Sequence, residues 1–266
     1  MATPKRRKPA DFEEHMTLVE HLDELRSRII FSGIFLTLAV VGCFMFEDSI
    51  LNIANEPLPE GFLPITLSPT EPFFTTVKLS FYSGILVSLP ILLYQAYSFI
   101  LPAFAPGERK LILPFLLSVP VLFIAGATFA YFIVMPAAIN FLLGFNADSF
   151  EIEVRASEYY GFFILTLIAV GFLFQIPVFV LAVCRLGIVT PEQLTENRRY
   201  AILLIAVAAM LLPGTDPVTM IISMAPLYIL FEFSLIMARR FGRPPGEGQD
   251  GEQSPDEPIE PTPDDG

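Results

Sequence analysis

Five long apolar runs and a sixth, shorter one divide this chain, with charged or Pro-rich segments between them. Runs near the ~20 residues that cross a hydrocarbon core leave few choices. In lipid each backbone N–H and C=O must be satisfied within its own segment, so such runs fold as spanning helices. The predicted spans are 29–46, 73–101, 111–143, 159–184, 200–212 and 218–238. Composition agrees: 53% of the 266 residues are hydrophobic, 26 are Phe, and mean hydropathy is +0.60. A soluble domain of this length would not need so much apolar surface. The expected fold is all-α, a polytopic membrane protein of six kinked transmembrane helices.

The two ends differ from this core. Residues 1–28 are read as a basic amino end and an interfacial amphipathic helix, 29–240 as the membrane domain, and 241–266 as a disordered acidic tail. Phe12, Met16, Val19, Leu22, Leu25 and Ile29 recur at three- and four-residue spacing, with Glu20, Asp23, Glu24, Arg26 and Arg28 between them. Such a helix should lie on the membrane before entering it. The tail from Arg243 onward holds one Arg and eight acids among Pro and Gly, too little apolar surface to fold. The net charge of −12 therefore overstates the acidity of the bundle. The basic run Lys5–Lys8 is not followed directly by an apolar run, so no cleavable signal peptide is expected.

Charge also predicts orientation. Of the 16 Lys and Arg residues, 14 fall in the two ends, the loop between spans 2 and 3 and the loop between spans 4 and 5; only Lys78 and Arg155 lie on the other side. The positive-inside rule then puts both termini in the cytoplasm. Prolines 90, 114, 120, 136, 177 and 226 should bend their helices. Thr190 followed by Pro191 predicts a short capped helix before span 5. Span 5 itself offers 13 residues, roughly 20 Å of helix against a ~30 Å core. The bilayer must thin there, or the segment must pack against partners.

Catalysis and metal chemistry are not expected. Cys43 and Cys184 fall near opposite membrane faces, too far apart to bridge. The two His residues both lie in the amino-terminal helix, and no His, Cys and Asp cluster suits a metal or a nucleophile. Nothing calls for a cofactor or a nucleic acid. What the chain does offer is the stretch Pro90 to Lys110, where Phe99, two prolines, and Glu108-Arg109-Lys110 form a short connection at the water–lipid boundary. An acid near an aromatic ring suits capture of a cationic, partly apolar ligand.

Local sequences then point to one family. His21-Leu22-Asp23-Glu24-Leu25-Arg26, Pro72-Phe73-Phe74 with Lys78-Leu79, Pro90 with Tyr94-Gln95, Phe99-Ile100 with Pro102-Ala103, and Glu108-Arg109 resemble TatC, the multispanning subunit of the twin-arginine protein translocase. Phe129-Ala130-Tyr131-Phe132, Gly187-Ile188 with Pro191-Glu192, and Met210-Leu211-Leu212 with Asp216 extend the likeness over about residues 18–240, in order. The resemblance implies a concave, glove-like bundle in the bacterial inner membrane that receives signal peptides carrying paired arginines. It implies single-span partners of the TatA and TatB type, a homo-oligomeric receptor complex, and export of folded precursors driven by the proton gradient. It assigns signal-peptide contact to Glu24, Phe99 and Glu108, with Leu25, Arg26 and Arg109 supporting the same face.

Each residue also has a plainer reading. Glu108 would be favoured at a helix start by the dipole alone, Glu24 is an i,i+4 partner of Arg28, and Phe99 could be an interfacial anchor. Gln175 stands mid-membrane where the resembled family often has Glu. An amide there can hydrogen-bond to a partner helix or simply between spans, whereas a role needing ionisation is in doubt. Glu232 should be solvated near Arg239 and Arg240, and Asp216 fits ordinary turn chemistry. A secondary transporter or ion pathway for small solutes is the competing class. It should carry ionisable groups at mid-bilayer, and only Gln175 and Glu232 come near that.

Overall fold

The computed structural model describes residues 18–59, 61–100, 106–149, 152–185, 188–212 and 217–241; within these, the side chains of 18–20, 100, 106–115, 185, 240 and 241 lie outside the description. The described residues form α1 (Leu18–Met45), α2 (Glu47–Asn55), α3 (Glu71–Ile100), α4 (Pro106–Phe129), a wide π-helical turn (Ala130–Val134), α5 (Met135–Gly144), α6 (Ala156–Leu173), α7 (Ile176–Arg185), α8 (Pro191–Glu196), α9 (Arg198–Met210) and α10 (Pro217–Phe241). The fold is all-α, as expected; among the described residues β-pairing is limited to one isolated bridge.

Among the described residues, five stretches are long and apolar enough to cross a membrane: His21–Met45, Glu71–Phe99, Leu116–Gly144, Ala156–Cys184 and Pro217–Arg239. The sixth expected span is α9, whose 13 residues start two positions earlier than predicted. The first part of the expected interfacial helix and the acidic tail beyond Phe241 lie outside the described residues. From Leu18 onward α1 runs unbroken through Arg28 into the first span. The capped helix before span 5 is α8. Thr190 accepts from the Gln193 N–H while the Gln193 side chain accepts from the Thr190 N–H, the reciprocal capping box.

The prolines act where their missing N–H would have been used. Pro177 cannot donate to the carbonyl of Leu173, and α6 ends at Leu173. Span 4 is therefore two helices, α6 and α7, where a single bent one was expected. Pro136 cannot reach Phe132, and the chain takes the wide turn Ala130–Val134 just before it. Pro90 and Pro226 remain inside continuous helices.

Small residues let the helices approach closely, the usual device where lipid supplies no hydrophobic drive. At Gly84 an added Cβ would sit 2.6 Å from the Val40 Cα, so α1 and α3 touch backbone to backbone. Between α4 and α6 two glycines receive each other's aromatic neighbour: Phe174 covers Gly126 and Phe123 covers Gly171. Tyr159, Phe163, Ile164, Val170, Met135, Leu227 and Phe231 fill the buried centre.

Between the first two long spans the chain, rich in Pro and acid, is tied to the rest of the fold at several points. Three tyrosines hold the end of α2: Tyr159 donates to the Ala54 carbonyl at 2.6 Å, Tyr131 to that of Ile53 at 3.1 Å, and Tyr160 to Asn55 Oδ1 at 2.9 Å. Two of these satisfy terminal carbonyls that a helix leaves orphaned. Ile65 is stapled to the segment before α6, its N–H on the Val154 carbonyl and its carbonyl on the Ala156 N–H, both at 2.8 Å.

Beside that staple Arg155 Nε donates to Glu71 Oε1 at 2.8 Å, and the Leu67 N–H donates to Glu71 Oε2 at 2.8 Å. The hydrogen bond to Glu71 raises the Arg155 pKa, and the carboxylate's charge adds to the shift. Glu71 is only 7% exposed. Arg155→Met strips it of its cation, and a carboxylate left buried without one is costly. Thermal unfolding of the detergent-solubilised variant should come several degrees below wild type, and Glu71→Gln added to it should restore part of the loss.

Candidate functional site

At the end of α1 remote from α2, three side chains at helical spacing share one face: His21, Glu24 and Arg28. Opposite them on α3 stand Gln95 and Phe99, four residues apart. The His21 and Phe99 rings stack at 4.2 Å with their planes 11° apart. Arg28 Nη1 donates to Gln95 Oε1 at 2.8 Å. These two contacts bracket Glu24.

Arg28 reaches Glu24 through one oxygen only. Its Nε donates to Oε1 at 3.0 Å, and its Nη2 donates to the same atom. The other oxygen, Oε2, is buried and has no hydrogen-bond partner among the described residues. A bare buried carboxylate oxygen carries a desolvation penalty of about 1–3 kcal/mol or more. A guanidinium from outside would remove it with a charge-assisted bond. The stacked rings beside it offer a flat apolar surface on which such a group can lie.

The other candidates are placed less completely. Glu108 and Arg109 fall in the first turn of α4, and their side chains lie outside the described residues. Leu25 is half-buried and Arg26 exposed. Gln175 is 4% exposed at the break between α6 and α7. Its Nε2 donates to the Val119 carbonyl of α4 at 3.3 Å, while Oε1 has no partner among the described residues. Glu232 departs from expectation. It pairs with Arg198 at 3.3 Å and accepts from Tyr228 at 2.9 Å, while Arg239 donates to Thr195. The first turn of α9 thus supplies the cation, from a loop that sequence spacing could not connect to α10.

Sequence reasoning did not single out His21 or Gln95 as site residues. The available signal was their helical spacing from Glu24 and Phe99. Among the described residues no group of three or more His, Cys, Asp or Glu could hold a metal.

The family model for the Sec-independent protein translocase protein TatC matches residues 20–226. The chain belongs to the TatC family. A TatC from Magnetococcus marinus is 36% identical over 248 residues, covering 92% of each chain. One from Desulforapulum autotrophicum is 36% identical, covering 87% of each chain. A crystal structure titled as the twin-arginine translocase receptor TatC superimposes with a TM-score of 0.71 at 34% identity, covering 84% of this chain and all of that one. TatC proteins are membrane-embedded components of a protein translocase, not a family of catalysts. All five residues of the α1–α3 cluster lie within the TatC match.

Proposed function

We propose that this chain is the receptor subunit of a twin-arginine translocase, binding the paired arginines of a signal peptide at the α1–α3 cluster. The observation that carries the reading is the Glu24 carboxylate, with one oxygen held by Arg28 and the other buried and bare. Glu24 takes one incoming guanidinium, Phe99 packs beside the peptide, and Glu108 supplies the second carboxylate from α4. Arginine suits this geometry better than lysine because its planar fork bonds a carboxylate bidentately. Leu25, Arg26 and Arg109 are the further cytoplasmic-side residues that this reading includes.

The charge distribution supports an inner-membrane protein with this face and both termini in the cytoplasm. A solute transporter is less well supported. Gln175 already donates to a backbone carbonyl and Glu232 is paired with Arg198. Single-span subunits of the translocase dock on α9, which leaves Leu203, Leu204 and Leu211 60–80% exposed and is too short to cross an unthinned bilayer. Bound precursor then nucleates assembly of these partners, within a homo-oligomeric receptor complex, for export driven by the proton gradient.

Co-purification with a precursor tests the recognition step. Changing both arginines of the signal peptide to lysine should reduce recovery about tenfold, the loss of one good charge-assisted pair. Equal recovery of the arginine, lysine and alanine forms refutes the site. Docking on α9 is tested separately by single cysteines at 201–211 paired with cysteines in a single-span subunit. Disulfides should recur every three or four residues, and their uniform absence discards the docking surface.

A further inference from the structure

A groove of about 580 Å³ opens between α2, α3 and α4, running from the middle of α3 toward α2. Its walls are apolar: Leu86, Val87 and Pro90 of α3 face Phe123, Ile124 and Ala127 of α4. From Phe123 to Tyr131 it follows about 12 Å of helix. Glu56 and Tyr131 stand at its end nearest α2.

The polar end is rich in acceptors and poor in protons. Tyr131 Oη lies 3.1 Å from the Ile53 carbonyl and 3.1 Å from Glu56 Oε2. One phenolic proton thus faces two acceptors, a carbonyl and a carboxylate, and the hydroxyl's own lone pairs add further acceptor capacity. The carbonyl belongs to the last turn of α2, the negative end of that helix dipole. Among the described residues, no ion pair engages Glu56. A primary ammonium, with three N–H donors and a positive charge, complements this cluster of three oxygens; an anionic headgroup would be repelled by it.

We propose that the groove is a binding site for a phospholipid whose headgroup carries a primary ammonium, such as phosphatidylethanolamine. The ammonium sits among Glu56, Tyr131 and the Ile53 carbonyl, and one acyl chain lies along Val87, Phe123 and Ile124. Val87, 57% exposed on the groove wall, leaves that path open to the bilayer. A lipid held here would tie α2 to the α3 and α4 walls from the membrane side.

The test is native mass spectrometry of the full chain in detergent. The protein is titrated with phosphatidylethanolamine, phosphatidylcholine and phosphatidylglycerol of identical acyl chains. Wild type should retain the ethanolamine lipid at least about threefold over the others, the size expected of a partly exposed charge pair. Glu56→Gln should erase the preference, whereas Glu153→Gln, an exposed acid elsewhere, should keep it. Val87→Trp, which fills the groove without touching the acid, should lower retention of the ethanolamine lipid. Thermal unfolding of each variant near the wild-type temperature establishes that these are binding effects. Equal retention of the three lipids overturns the proposal, as does a preference that survives both Glu56→Gln and Val87→Trp. Crosslinks from position 87 to a signal peptide, with no phospholipid retained, overturn it as well by assigning the groove to a peptide.

Discussion

Glu24→Gln should leave the helix bundle intact and lower recovery of a twin-arginine precursor by about 10- to 100-fold. The range follows from the roughly 1.5–3 kcal/mol of a hydrogen bond to a charged group. The substitution keeps the shape of the side chain and an oxygen for Arg28 to bond, so folding has little reason to change. What it removes is the negative charge and the bare acceptor Oε2. Arg28→Lys is an informative companion. It weakens the hold on Oε1 and on Gln95 while leaving the carboxylate in place, so recovery should fall less than with Glu24→Gln. Glu108→Lys should abolish export outright while the protein still inserts in the membrane, because it puts a cation where a second guanidinium must bind. Undiminished export by Glu108→Lys removes that residue from the site.

The second large effect is expected at Gly84. Its missing Cβ is what allows α3 to rest on the backbone of α1, where the added atom would come within 2.6 Å of Val40 Cα and 2.8 Å of Val40 N. Backbone cannot swing aside as a side chain can. Gly84→Ala must push the helices apart, and overpacking of this kind costs about 1–3 kcal/mol. Gly33→Ala, on α1 with open space around it, is the matched control and should be neutral or slightly stabilising through helix propensity. Thermal unfolding in detergent reads the difference. Because α1 and α3 also carry Glu24 and Phe99, Gly84→Ala should weaken precursor recovery too. If both alanine variants unfold together, the close contact between α1 and α3 is not what holds that face.

Much of the architecture was legible because a bilayer imposes one rule on every segment. Apolar length identified the spans, and Thr190-Pro191 located the start of α8 through local capping chemistry alone. The bond-breaking of Pro177 was foreseen as a bend, yet whether a helix bends or stops depends on what packs around it, and here α6 ended at Leu173. In sequence the segment 47–72 shows only its five acids, its prolines and its lack of Lys and Arg. What orders it comes from elsewhere in the chain: tyrosines at 131, 159 and 160, and Arg155, which had stood out only as an isolated cation.

The same division holds at the candidate site. The motif around His21 to Arg26 and the pair Phe99 and Glu108 could be picked out by resemblance, and Glu24 with Arg28 by helical spacing. That His21 lies flat on Phe99 and that Gln95 receives Arg28 are contacts across 67 or more residues of chain, and the bare oxygen of Glu24 is visible only once they are in place. By itself the sequence determined that the chain is an all-α membrane protein with five long apolar helices and a shorter sixth, since hydrocarbon length and backbone hydrogen bonding act within each segment. Only the tertiary structure decided which acids are paired, which oxygen is left without a described partner and where a groove forms, because those depend on distances between helices that no local pattern encodes.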